Sequence, residues 1–260
     1  MFDIAYTGID DSLWNLDGRG AGLQGVFTSS VEGLVAAGEA ATTPGPGRIG
    51  ARTTGRPSVP PFEGVLNVVI SSRSAEHLPE LPQILSAFRR AWSTLADGRL
   101  ELESAWGARL HTRARLSDRL AFPTASPFDR RTAWLELAIS VECRDGVWFG
   151  APETITDGLV VNSGELTAWP KVRWTGTGTV TAPGAAPLEL PATPVEAVMD
   201  CDPATGMVIT VDGEPAPELW SQLRGRTFPR GVSPGGADQW QFSSGVVATV
   251  TPRLLDPWRW

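Results

Sequence analysis

Three short stretches carry residue types that could do chemistry. Gly20 to Gly25, GAGLQG, spells the dinucleotide fingerprint, in which glycines let a pyrophosphate approach the backbone at a helix N-terminus. That chemistry needs a buried strand before the glycines and a helix after them. Here LWNLDGR precedes and VFTSSVEGL follows, and neither fits, so the segment reads as a glycine-rich turn. DCDPATG sets Asp200 and Asp202 at alternate positions, as half of a calcium loop would. The later glutamate and a third oxygen ligand are missing, and Asp-Pro followed by Gly206 between two strands is hairpin chemistry. His77 and His111 are the only histidines, and neither has the spacing of a metal pair or of a nucleophile's partner. Cys143 and Cys201 lie far apart, which gives neither a disulfide framework nor a zinc site. With no GxSxG elbow, HExxH, P-loop or CxxC pair, and no carboxylates paired at a glycosidase spacing, the chain reads as a non-enzyme without cofactor or metal.

The remaining candidates are residues suited to binding. Arg109, Arg113 and Arg115 share a strand face with His111, while Leu110, Ala114 and Leu116 line the other face. That basic row either meets an acidic subunit or is simply solvated. Eleven tryptophans invite a carbohydrate-binding reading, because indole faces stack on sugar rings. Trp134, Trp169, Trp174 and Trp240 fall in strands or at their ends, where core packing accounts for them. Trp258 and Trp260, in DPWRW, join the three arginines as the candidate interaction surface.

Composition narrows the partners. A formal charge of -7 argues against a non-specific nucleic-acid binder, which needs a basic surface to neutralise phosphates. Lys171 is the only lysine, and with frequent Gly, Ala and Pro this is the print of a GC-rich genome. The start MFDIAYTGIDDSLWNLDG carries acids where a signal peptide has bases, and no apolar run approaches the roughly 18 residues of a membrane helix. The expectation is a protein made soluble in a cytoplasm, with no membrane insertion.

At 260 residues the chain can hold two domains, and the pattern restarts near residue 151. Residues 1 to 64 offer short strands and a Pro/Gly arm, about 36 to 64, that has no regular period and reads as an interaction arm or as disorder. In VLNVVISSR, Leu66, Val68 and Ile70 alternate with Val65, Asn67 and Val69, which predicts a strand with a buried face. Between Glu80 and Asp97, Leu81, Ile84, Leu85, Phe88, Trp92 and Leu95 recur at helical spacing, with Gly98 placed as a left-handed C-cap. RLELESAW, GARLHTRARLS and RTAWLELAISVECRDG read as antiparallel strands, the last with Leu135, Leu137, Ile139, Val141 and Cys143 inward. Beyond residue 151 the pattern is purely β, with turns at Asp212-Gly213 and Pro234-Gly235-Gly236, which predicts a sandwich or jelly roll.

These features together resemble a known family. YTGIDDSLWNLDG, GVFTSSVEGL, the Pro/Gly arm, the strand, helix and strands ending in VEC, then VVNSGELTAWPKVRWTGTGTV and SPGGADQWQFSSG, are similar to a minor tail protein of long-tailed bacteriophages. Their order resembles the distal tail protein family, the hub of the tail tip. In that family an α+β domain assembles into a six-fold ring beneath the tail tube, and a galectin-like β-sandwich follows it. The resemblance implies an α+β fold class: an antiparallel sheet domain with one amphipathic helix over 1–150, and an all-β galectin-like sandwich over 151–260. Asn162-Ser163-Gly164 and Pro170 would open the sandwich, and Pro234-Gly235 would be the family's Pro-Gly turn. The implied function is a structural virion protein, an oligomeric hub that connects the tail tube to the tail tip or host-recognition apparatus. Implied partners are further copies in a hexameric ring, the tail tube protein, a tail-associated tip protein, and a receptor-binding protein or host glycan. The implied location is the virion tail tip, after synthesis in the host cytoplasm. The alternative is a carbohydrate-binding module that contacts the host surface, although a galectin-like fold does not by itself license sugar binding.

Overall fold

The computed structural model describes residues 2–39, 42–44, 51–53, 58–73, 78–123, 125–129, 132–206, 208–227 and 229–259. Two compact units form, Met1–Phe149 with Leu255–Trp260, and Gly150–Leu254. The tail Leu255–Trp260, read from the sequence as the end of the second domain, groups with the first unit. Antiparallel sheets with two α-helices among the described residues make the chain mostly β, within the α+β class.

Period-two burial builds the first unit. Its strands are β1 (Phe2–Thr7), β2 (Leu13–Asp17), β3 (Val26–Gly33), the short pair β4 (Thr42–Pro44) and β5 (Ala51–Thr53), and β6 (Phe62–Ser71). After α1 (Leu81–Arg90) come β7 (Gly98–Ser104), β8 (Arg109–Leu116), β9 (Trp134–Cys143) and β10 (Trp148–Phe149). The main sheet runs β2-β1-β7-β8-β9-β6-β3. Its longest ladder is that of β6 on β9, in register from Phe62 opposite Cys143 to Ser71 opposite Trp134. Leu66, Val68, Ile70, Leu135, Leu137, Ile139, Val141 and Cys143 all point inward and are buried, as their alternation predicts. β6 begins at Phe62, three residues inside the segment read as arm, and much of the rest of that arm lies outside the described residues. Leu34, at the arm's root, is buried against Gly64, where a Cβ would strike its side chain, and its carbonyl accepts the Trp148 indole N–H at 2.9 Å.

The helix is shorter than its apolar spacing suggests. The Glu80 N–H donates to the Gln83 side chain at 3.3 Å and Pro82 occupies the first turn, so the start is as expected. Leu81, Ile84, Leu85 and Phe88 form the buried face. The helix ends at Arg90 because the next residues have stronger local partners. Trp92 stacks on Tyr6 with ring centroids 3.6 Å apart, and the Ser93 hydroxyl accepts from the N–H groups of Leu95 and Ala96. Leu95 is therefore 90% exposed instead of buried. Gly98 is no helix cap. It opens β7 where a Cβ would overlap the Tyr6 hydroxyl and stand 2.6 Å from the Thr7 carbonyl. The Tyr6 hydroxyl itself donates to the Ala91 carbonyl at 3.1 Å, and burial pushes its pKa up. Gly98→Ala is expected to destabilise the chain by about 1–3 kcal/mol, read as a lowered Tm in thermal unfolding.

The second unit contains β11 (Glu153–Ile155), β12 (Leu159–Val161), β13 (Lys171–Thr181), β14 (Leu188–Asp200), β15 (Ile209–Val211) and β16 (Glu214–Pro215). It continues with α2 (Pro217–Leu223), β17 (Ala237–Gln239), β18 (Gln241–Phe242), β19 (Val246–Val250) and β20 (Arg253–Leu254). One sheet runs β11-β19-β13-β14-β15-β16, with β18 also on β13, and β12 and β17 form a separate ribbon. Register breaks at Gly176 and Gly178 bend β13, yet Val172, Trp174 and Val180 all stay buried on one face. The stretch from Leu188 to Asp200 is one long strand, β14, despite its two prolines. Pro191 and Pro194 fall in the register breaks between β14 and β13 on either side of Thr193, and before β14 gains β15 at Ala197, where a proline costs the ladder least. Asp212 and Gly213 both take positive φ, the type I′ turn their pairing predicts.

The Asn162-Ser163-Gly164 turn is a buried polar knot. Asn162 is fully buried; its side-chain amide donates to the carbonyls of Leu166 and Val232 at 2.9 Å each and accepts from the Gly164 N–H. Gly164 lies so close to Arg253 that a Cβ would stand 2.7 Å from its backbone. Replacing Asn162 by Ala removes all three bonds and leaves the buried Gly164 N–H without this acceptor, although the Val232 carbonyl keeps the Ala168 N–H, and a loss of about 1–3 kcal/mol in denaturant unfolding is expected.

Candidate interaction surfaces

The sequence-predicted basic row is assembled on β8 as expected, but its charge is already met. Arg109, His111, Arg113 and Arg115 share the outer face while Leu110, Ala114 and Leu116 are buried. Arg109 pairs with Glu103 at 3.2 Å, Arg113 with Asp145 at 2.8 Å and Arg115 with Glu142 at 2.6 Å. Asp145 also accepts the Arg113 backbone N–H, so this pair fastens the β9–β10 turn to β8. The three partners lie on β7, on β9 and just after it, a cross-strand placement that the one-dimensional pattern does not display. His111 packs beside Phe149, ring centroids 5.6 Å apart, and burial, then Arg99, push its pKa down.

Because His111 resists protonation only in the folded chain, the unfolded state takes up more protons as pH falls below 6.5. Stability is therefore expected to drop between about pH 7 and pH 5, and His111→Gln should remove part of that slope in denaturation curves taken across the range.

Trp258 is half-buried, edge-on to Phe2 at 5.3 Å, and the tail is tied by the Ala36 N–H donating to the Leu255 carbonyl at 2.8 Å. Trp260 and His77 lie outside the described residues. Of the strand tryptophans, Trp174 and Trp240 are core residues, whereas Trp134 is 54% exposed. The glycine fingerprint is a turn between β2 and β3, with positive φ at Gly20, Gly22 and Gly25. Asp202 caps a short 3₁₀ turn, accepting from the Ala204 N–H, and pairs with Arg253 at 2.6 Å. Among the described residues no group of acids, histidines and cysteines could hold a metal ion. Cys143 and Cys201 are free, buried thiols whose pKa burial raises to about 12, far from nucleophilic use near neutrality.

A feature that the linear pattern does not display is a sheet edge left open among the described residues. β9 pairs with β6 along its whole length but with β8 only from Val141 to Cys143. β8 leaves because the Leu116 N–H donates to the Ser93 carbonyl at 2.9 Å, and Arg89 then holds the carbonyls of Leu120 and Ala121 at the end of α1. Ser140 still accepts from the Ser117 N–H, and by strand alternation the backbone groups of Ala138, Glu136 and Trp134 face the same side. Beside this edge lies a shallow pocket of about 360 Å³, lined by Ala125, Trp134, Leu135 and Glu136. β2, at one end of the sheet, is blunted instead: the Gln24 side chain bonds the Asn15 N–H and the Leu13 carbonyl, and the Thr28 hydroxyl bonds the Leu16 carbonyl.

No protein-family model matches the sequence, and no curated protein sequence matches it. Solved structures do match its fold. The Dit protein of phage SPP1, described as a paradigm of the hub adsorption apparatus in phages infecting Gram-positive bacteria, has a TM-score of 0.64 at 14% identity, covering 97% of this chain and 99% of that one. The chain has the fold of a phage Dit hub protein. A chain of the phage P2 baseplate in its activated conformation with Ca follows at TM-score 0.55 and 11% identity, covering 97% of this chain and 98% of that one. The same baseplate with Sr gives 0.53 and 10%, covering 96% and 98%. The resemblance drawn from the turns and strands of the sequence is thus the one the fold displays. Both units belong to that match, because it spans nearly the full length of either chain.

Proposed function

We propose that this chain is a structural virion protein of a long-tailed phage, a hub at the distal end of the tail that joins the tail tube to the tip and host-recognition apparatus. The observation that carries the reading is the near-full-length likeness to the SPP1 hub protein, both units included. On this reading the chain acts by assembly, with no catalytic centre. The first unit forms a ring, hexameric in this proposal, through heterologous contacts between copies. The second unit is a galectin-like sandwich that receives side components of the tail tip. The antiparallel sheet of β11, β19, β13, β14, β15 and β16, with register breaks along β13 near Gly176 and Gly178, supports the sandwich assignment.

The open half of β9 gives the ring a physical contact. Backbone groups of Trp134, Glu136 and Ala138 offer a strand-addition edge, and the exposed ring of Trp134 supplies apolar area on it. The paired arginines Arg109, Arg113 and Arg115 serve chiefly to brace β8, while Trp258 anchors the tail to the first unit. The tube protein and a tail-associated tip protein are the proposed axial neighbours, in a virion built in the host cytoplasm.

Glu136→Pro tests the edge. Its N–H faces the open side, so proline leaves the β6–β9 ladder intact while obstructing an added strand. The expected outcome is a folded chain of monomer mass by light scattering, under conditions where the unsubstituted chain gives a ring. Rings that form equally well from the variant would remove β9 from the interface.

A further inference from the structure

A cavity of about 560 Å³ opens in the second unit, between the tip of the β13–β14 hairpin and the loop that follows α2. That volume suits a small ligand or a few residues of peptide. Its apolar wall is Val180, Leu188, Met199, Cys201 and Trp240, and across from it stand Arg226, Thr227 and Arg230. Trp240 is 3% exposed, so its ring is part of the wall and offers no free face for stacking a sugar.

The charge on this side is uncompensated. Between Leu219 and Ala237 the sequence has three arginines, Arg224, Arg226 and Arg230, and no acid, in a chain whose formal charge is -7. Among the described residues none of the three pairs with a carboxylate. Arg224 sits over the Trp220 ring, 5.4 Å from its centroid. Elsewhere in the same unit Arg173 and Arg253 are closed onto Glu196 and Asp202. Arg226 and Arg230 therefore stand exposed at the mouth of an apolar cavity with their hydrogen-bond donors free for an anion.

We propose that this cavity is the docking site for an acidic, apolar segment of a partner protein: a short peptide stretch in which carboxylates alternate with aliphatic side chains. A carboxylate would take the guanidinium forks of Arg226 and Arg230, and an adjoining aliphatic group would fill the space against Leu188 and Met199. Gly184, Ala185 and Ala186 at the hairpin tip are small and exposed, and nothing lies within 4 Å of the Gly184 Cβ direction, so a partner's main chain can lie close. A saccharide fits poorly. Apart from the Trp240 indole, side-chain hydrogen-bonding nitrogen and oxygen in the lining is confined to Arg226, Thr227 and Arg230, so most ring hydroxyls would lose water against hydrocarbon. The inference stands on this cavity alone and is independent of ring formation.

The test is fluorescence anisotropy on the full chain with a labelled heptapeptide of alternating leucine and glutamate, and with its glutamine counterpart. The glutamate peptide should bind saturably and the glutamine peptide about tenfold or more weakly, as expected for loss of charge-assisted hydrogen bonds. The double variant Arg226→Ala, Arg230→Ala should weaken the glutamate peptide by a similar factor with an unchanged Tm, while Arg109→Ala leaves binding as it was. Four results would overturn the proposal: equal binding of the two peptides, binding indifferent to the double variant, no saturation by about 1 mM peptide, or stronger binding of a labelled glucuronic acid oligomer or of decanoate at the same arginines.

Discussion

The first unit depends on one ladder, the strict antiparallel register of β6 on β9. Ten residues of each strand face one another without a bulge, so every apolar residue of one strand meets an apolar residue of the other on the core side. Leu66 opposite Ile139, Val68 opposite Leu137 and Ile70 opposite Leu135 form its centre, each side chain contributing about 1.5–3 kcal/mol by burial. A slip of one residue would turn this whole set toward solvent, so the register cannot drift. The same ladder explains the open edge. β9 is committed to β6 throughout, and β8 is drawn to the end of α1 by Ser93 and Arg89, so among the described residues half of β9 is left with a single neighbour.

Such an edge is a hazard for a solitary chain and an asset for one that assembles. The fold treats its edges unequally: side chains of Gln24 and Thr28 occupy the backbone of β2, while Trp134, Glu136 and Ala138 keep theirs unobstructed. Charge follows a similar division. The arginines of β8 are consumed by Glu103, Asp145 and Glu142, whereas those after α2 remain uncommitted beside an apolar cavity. Contacts between proteins are built from such unsatisfied backbone and unpaired charge next to apolar surface.

Much of the architecture was legible because it rests on local pattern. The alternation in β6 and β9, the buried face of α1 and the Asp212-Gly213 turn all follow from spacing of two or of 3.6 and from turn chemistry, whereas α2 interrupts the purely β pattern expected after residue 151. Misreadings occurred where a distant residue decides. Gly98 looks like a helix cap until Tyr6 is seen against it, and Leu95 belongs to the apolar periodicity but is lifted away by the Ser93 turn. Pro191 and Pro194 lie inside one strand, β14, at its register breaks against β13 and ahead of its pairing with β15. The ion pairs of the basic row and the free half of β9 depend on which strands become neighbours, and a linear pattern carries no such information.

The central claim is that this chain closes into a ring through its first unit. The most direct measurement is electron microscopy of the purified full chain, imaged across a concentration series with its mass followed in parallel by light scattering. The account predicts closed rings of identical subunits, with the first units forming the contacts around the circumference. A chain that stays monomeric at every concentration, or that grows into open filaments, would contradict it.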